Sequence, residues 1–164
     1  MLSSCSFPKE HTWQYSLYEK KEDVSWETCT LRSWLNGEFY EKAFNDEEKR
    51  FIFENVIAAD KNNDDSTNPK MDIKDKVFLL SIEEVQRHFN NNESRQCKPT
   101  AYAIANHVYT NKKRNCWWWL RSLGNDSSHA ACVTPNGLIN SDDHWVSDQS
   151  DSVRPCLRIN LNLF

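Results

Sequence analysis

Three tryptophans stand in a row in Cys116-Trp117-Trp118-Trp119-Leu120-Arg121-Ser122, and no regular element hides three adjacent indoles on one side. In a strand, side chains alternate, so Trp117 and Trp119 take one face and Trp118 and Leu120 the other. Both faces then need a cover, which predicts a central position for this strand. The next stretch is polar, with Asn125 to His129 and Asn140 to Asp151 rich in Asn, Asp and Ser. The chain then turns apolar again over Val153-Arg154-Pro155-Cys156-Leu157-Arg158-Ile159-Asn160-Leu161, which reads as a closing strand. An apolar strand pair framing irregular polar loops suits recognition, because binding residues concentrate on loops held by a rigid frame.

A length of 164 residues fits one domain with a proper core. Seven Trp and eight Phe supply large buried areas where aliphatic content is modest. The net charge of −4 comes with no basic stripe, which argues against a nucleic-acid partner, since phosphate binding needs clustered Lys and Arg. No apolar run reaches the length of a membrane span. Nor is there a signal peptide: Leu2-Ser3-Ser4-Cys5 would suit a lipoprotein cleavage box, but the apolar stretch before it is missing. Localisation cannot be read from such a start.

The six cysteines (Cys5, Cys29, Cys97, Cys116, Cys132, Cys156) show no CxxC or Cys-x-His spacing, so no zinc site and no cofactor is expected. Free buried thiols are the favoured state, with Cys acting as a small hydrophobe. Asp60, Asn62 and Asp64 alternate as in a calcium loop. No Gly holds the sixth position, however, and Asn68 and Asp72 are poor replacements for the closing Glu. Residues 60 to 75 are expected as an exposed loop.

Periodicity places helices in the first two thirds. Thr28 or Thr30 is expected to cap a helix bearing Leu31, Trp34 and Leu35 on one face. Gly37 should interrupt it, with Phe39, Tyr40, Ala43 and Phe44 on a short second helix. Asn45-Asp46-Glu47-Glu48 reads as the first turn of another, with Phe51, Ile52 and Val56 as its buried face. Val77 to Leu80 reads as a short buried strand. Ser81 opens a helix through Phe89 with a capping-box acid at Glu84, ended by a polar turn at Asn90 to Glu93. Pro99 is placed at the start of a helix over Thr100 to Val108. Beyond the tryptophans, Thr134-Pro135-Asn136-Gly137 between apolar runs is a strong hairpin signal.

The motifs Trp26-Glu27-Thr28-Cys29-Thr30-Leu31-Arg32-Ser33-Trp34-Leu35-Asn36-Gly37-Glu38-Phe39-Tyr40, Asp75 to Ser81, Cys97-Lys98-Pro99-Thr100, Trp117 to Ser122 and Val153-Arg154-Pro155 together resemble one family. It is a widespread bacterial domain family of unassigned function, frequent in gut Firmicutes. The resemblance covers nearly the whole chain. It implies an α+β, C-type-lectin-like fold over residues 1–164, in the branch shared with formylglycine-generating enzymes: a small twisted antiparallel sheet with helices packed on it and a loop-rich C-terminal face. Leu123 replaces a usual Pro and Ser152 a usual Gly, and the N-terminal strand looks cut short.

Some members of that branch are targets of diversity-generating retroelements, which vary asparagine codons in C-terminal loops. Asn125, Asp126, Ser127, Ser128, His129, Asn140, Ser141, Asp142, Asp143, His144, Ser147, Asp148, Ser150 and Asp151 fit that alphabet, and equally fit ordinary solvated loops. With Trp145, they form the expected ligand-binding surface. Trp145 is either a recognition anchor or a residue folded back onto the core. Trp117, Trp118, Trp119, Arg121 and Arg154 are assigned to the framework, and Arg154 should need a carboxylate or carbonyl partner.

The expected function is binding of a protein or glycan ligand, without catalysis. Two other readings stand beside it: an enzyme of the formylglycine-generating type, and a structural or sensor domain of a larger surface protein. The former needs two adjacent copper-holding cysteines, and Cys132 and Cys156 cannot be paired from sequence. His129 and His144 could meet across the loops with Asp142 and Asp143, giving a metal or acid–base cluster.

Overall fold

The computed structural model describes residues 24–57, 72–125, 128–142 and 144–161. Residues 60–71 of the expected exposed loop, the N-terminal strand, Asp126, Ser127 and Asp143 lie outside those residues, whereas Ile73–Asp75, expected in that loop, is instead a strand with Asp75 buried. Among the described residues the chain is a mixed α+β structure of five helices and two small antiparallel sheets, counting the first helical run as one.

That first run begins as α1 (Thr30–Trp34), widens into a π-helical turn over Leu35–Phe39 and ends as α2 (Tyr40–Ala43). Its cap is neither expected threonine. Cys29 Sγ accepts from the Arg32 N–H, while Thr28 Oγ1 is engaged by the Ser25 N–H. Gly37 does not interrupt the helix either. One residue is inserted at the π turn, so the buried positions step from Leu31 to Leu35 to Tyr40. Asn36, on the widened turn, accepts from the N–H groups of Lys76 and Val77 and donates to the Val77 carbonyl at 2.8 Å. Beside it, buried Asp75 takes the Trp26 indole N–H at 2.9 Å and the Arg32 guanidinium at 2.7 Å. The helix is thereby docked on the 75–77 backbone by side chains that satisfy buried polar groups.

The first turn expected at Asn45 to Glu48 is closed by a capping box between Asn45 and Glu48, on α3 (Asp46–Lys49). The helix then stops, and the chain enters β1 (Asn55–Ile57), antiparallel to β2 (Ile73–Asp75). Strand alternation buries Asn55 and Ile57 and leaves Val56 58% exposed, so Val56 is not part of a buried helical face.

Val77 to Leu80 is buried throughout, as expected, but is not the expected strand: it pairs at an isolated bridge, where Phe78 exchanges backbone hydrogen bonds with Cys156 of the closing segment. Among the described residues the backbone of the closing segment pairs at isolated bridges, Phe78 to Cys156 and Ile52 to Ile159, and is no continuous strand. Ser81 and Glu84 cap α4 (Ile82–His88) reciprocally. The expected polar turn after it contains a further short helix, α5 (Asn92–Arg95), capped by Asn91. Thr100 caps α6 (Ala101–Ala105), which ends before Val108.

The second sheet has the order β3 (Trp118–Leu123), β4 (Ala130–Val133), β5 (Ile139–Asn140). The hairpin between β4 and β5 turns at Gly137, whose φ of 85° is open to glycine; a Cβ there would also strike the Asn92 carbonyl oxygen. On its other edge β3 is completed by irregular backbone: Trp119 donates to Ser152, Ser152 donates to Trp117, and Arg121 donates to Leu80. The tryptophan strand is thus central, and Trp118 and Trp119 have no solvent exposure.

Arg121 reaches under α4 to Glu84 and the Leu79 carbonyl. Burial alone would raise the Glu84 carboxyl, but the Arg121 hydrogen bond and the Ser81 N–H hold it below its usual 4.5. Its contribution to stability is therefore present above that value and lost as pH falls through the lower native pKa. Glu84→Gln is expected to lose roughly 1–2 kcal/mol at neutral pH, with the gap to wild type closing in acid. Urea unfolding across a pH series measures both.

Candidate functional site

Directly opposed residues on antiparallel strands share a face, so Cys132 of β4 lies beside its partner Trp119 of β3. Trp117 belongs to the same face by alternation. Trp118 points the other way, toward Phe89 at the end of α4, and Arg154 stacks between them, 4.8 Å from the Trp118 ring and 5.1 Å from that of Phe89. Aromatic faces, rather than only the expected carboxylate or carbonyls, thus receive that guanidinium.

The Trp117–Trp119–Cys132 face is covered by the 140–151 loop. His144 packs on Trp117 with ring centroids 4.1 Å apart and meets Trp119 edge-on at 5.9 Å. Its Nδ1 lies 2.8 Å from Asp151 Oδ2, and the Asp151 carboxylate is wholly buried. A Cys132 Sγ, an imidazole nitrogen of His144 and a carboxylate oxygen of Asp151 all lie within 4.8 Å of one another. Burial pushes the Asp151 carboxyl above its usual 3.8, and the charge of Asp148 adds to this; the His144 contact pulls it back. A thiol, an imidazole and a carboxylate at this spacing can hold a metal ion. They can also set an Asp–His orientation beside a thiol, although Cys132 has no exposed surface for a substrate to reach.

The loop is fixed from its backbone as well. Ala130 donates to the His144 carbonyl, Val146 donates to that of Ser128, and His129 and Trp145 bridge. Gly124 closes the neighbouring loop by donating to His129 at 2.8 Å. A Cβ at Gly124 would stand 2.6 Å from His129 Cβ and 2.9 Å from the Ser141 oxygen, so the two loops meet there.

These contacts divide the expected binding residues. Asn125, Asp142 and Trp145 are exposed, and Trp145 is 55% exposed with its ring stacked on His129 at 4.5 Å. Ser128, His129, Asn140, Ser141, Ser147, Asp148 and Ser150 are half-buried. His144 and Asp151 are instead turned inward as packing and polar core. The cluster imagined from sequence does not form as drawn: His129 goes to Trp145, Asp142 is held by Ser141 and the Asn140 side chain, and His144 finds Asp151 and Cys132. Asp151 and Cys132 were missed as partners because no spacing motif links residues brought together only by the fold. The inward pull of Trp117 and Trp119 was the one available signal.

Cys156, the other half of the imagined copper pair, sits across from Phe78, and burial pushes its thiol up to about 11. A family model described as a domain of unknown function (DUF6273) matches residues 9–161. The chain belongs to that family. No curated protein and no solved structure matches it. Among the described residues of this DUF6273 domain, no helix is long and apolar enough to cross a membrane.

Cys29, Cys97, Cys116, Cys132 and Cys156 are buried, and burial pushes Cys29 up to about 12 despite nearby Arg32. The thiolate is the reactive form, so these five are expected to resist alkylation in the native domain at neutral pH and to react after unfolding. Peptide mass spectrometry of natively labelled protein checks this. Label on native Cys132 would contradict the covered face.

Proposed function

We propose that the chain is a non-catalytic recognition module of C-type-lectin-like build, which binds a glycan or a protein surface through its C-terminal loops. The observation that supports this most is Trp145. Its indole stands out from the surface, braced by His129, on a loop whose backbone is tied to the sheet at Ala130 and Val146. A large exposed aromatic on a rigid frame is the pattern of a binding hot spot, because little side-chain or loop entropy is lost on contact. On the same C-terminal loops, Asn125, Asp142, Ser128 and Asn140 supply short polar groups suited to hydroxyls or backbone amides.

Variation by a retroelement, where it operates, would act on the outward residues. His144 and Asp151 belong to the cover of the tryptophan face, so changing them would cost the frame. A near-copy of the coding segment differing at adenines, sparing those two codons, is the corresponding genomic signature.

The same geometry shapes the test. Wholesale replacement of 140–148 would remove His144 and unfold the cover, so the informative variants are Trp145→Ala and Asp142→Ala. A glycan-array and cell-surface screen is expected to find a ligand for the native chain. Trp145→Ala should weaken it by about 2 kcal/mol or more, with the thermal melt unchanged. Binding that survives both substitutions would remove the loops from the function.

A further inference from the structure

We infer that Cys132, His144 and Asp151 form a zinc site that clips the 140–151 loop to the tryptophan face of the sheet. The three side chains come from β4, from the loop after β5 and from the segment just before Ser152. One donor atom from each lies within 4.8 Å of the others, close enough to share an ion. Sulfur, nitrogen and oxygen donors together suit Zn²⁺, whereas Mg²⁺ and Ca²⁺ take oxygen alone.

A second observation points the same way. Asp151 is 9% exposed, and neither of its carboxylate oxygens has a well-formed hydrogen bond among the described residues; its neighbour is the His144 imidazole. A buried carboxylate with so little compensation is expensive. The indole N–H of Trp119 and the hydroxyl of Ser152, on adjoining residues, are likewise buried without partners among the described residues. Polar atoms left over in one place mark a site whose occupant supplies what the protein does not. For the Asp151 carboxylate a divalent ion does so: with Cys132 as thiolate and Asp151 ionised, the charges sum to zero. The thiol proton leaves to solvent as the ion binds, so affinity rises with pH. Three protein ligands leave a coordination position for water.

Such a clip goes beyond the recognition reading and is tested without any ligand. The full chain, reduced and stripped by a chelator, is titrated with Co²⁺ as a spectroscopic stand-in for zinc. One equivalent should produce a thiolate-to-cobalt charge-transfer band and quench tryptophan fluorescence, since Trp117 lies against His144. Cys132→Ser should lose the band, and Asp151→Asn should weaken binding about tenfold or more. Zinc at a fixed, limiting concentration should raise the Tm of the wild type and of Trp145→Ala, and that of Asp151→Asn by less. No band in the wild type, or an undiminished band in Cys132→Ser, overturns the site and leaves a His144–Asp151 pair beside an inert thiol. The Tm measurement covers the case in which Cys132→Ser fails to fold. Trp145→Ala that keeps the metal but loses ligand separates this claim from the binding reading.

Discussion

Trp118 and Trp119 leave β3 on opposite sides, and neither reaches solvent, so the chain has to build a cover for each face. On the Trp118 side the cover is Phe89 at the end of α4, with the Arg154 guanidinium stacked on both rings. On the Trp119 side a loop stands against the indole. The cover there is the polar 140–151 loop, with His144 packed on Trp117 and Trp119. This asymmetry organises the sheet: the end of α4 packs on the Trp118 face, and the loop bearing His144 packs on the other. Several features follow from it, including the bridge of Ser152 to Trp118, the convergence at Gly124, and the inward turn of Asp151.

Much of the frame was legible where one local signal decides the outcome. The reciprocal cap at Ser81 needs only residues three apart, and the Asn136-Gly137 turn needs only a glycine able to take positive φ. Alternation alone places the two buried tryptophans. Legibility failed where tertiary contact overrode the local pattern. Gly37 looked like a break, but the Asn36 side chain docks that turn on residues 76–77, and the helix widens instead of ending. Val56 fell on an apolar helical stripe, yet pairing with β2 set its parity outward. Apolar composition marked the closing segment as a strand, but its backbone meets Phe78 and Ile52 only at single points.

The candidate site shows the same division. Trp145 was legible as an aromatic out of place in a polar run, and it is exposed. His144 and Asp151 were indistinguishable by composition from the surface residues around them. Only the neighbouring indoles, which need covering, determine that these two turn inward while Asp142 turns out. Cys132 is separated from both by a hairpin and a loop, so their meeting is a property of the fold and not of spacing. A polar loop that is half surface and half core is stiffer than its sequence suggests, and stiffness favours a recognition surface.

The central claim is that the 140–151 loop is an integral cover of the tryptophan strand. Amide hydrogen exchange measures it most directly, because protection tracks the free energy of opening each segment. The N–H groups of Ala130 and Val146, bonded across the loops to His144 and Ser128, and those of Trp119 and Ser152 should exchange only with the slowest, globally opening class. Fast exchange at Ala130, Val146 and Ser152, with Val85 and Phe89 of the helical face still protected, would contradict it. The loop would then be a dispensable appendage, and the Trp119 face would need another cover.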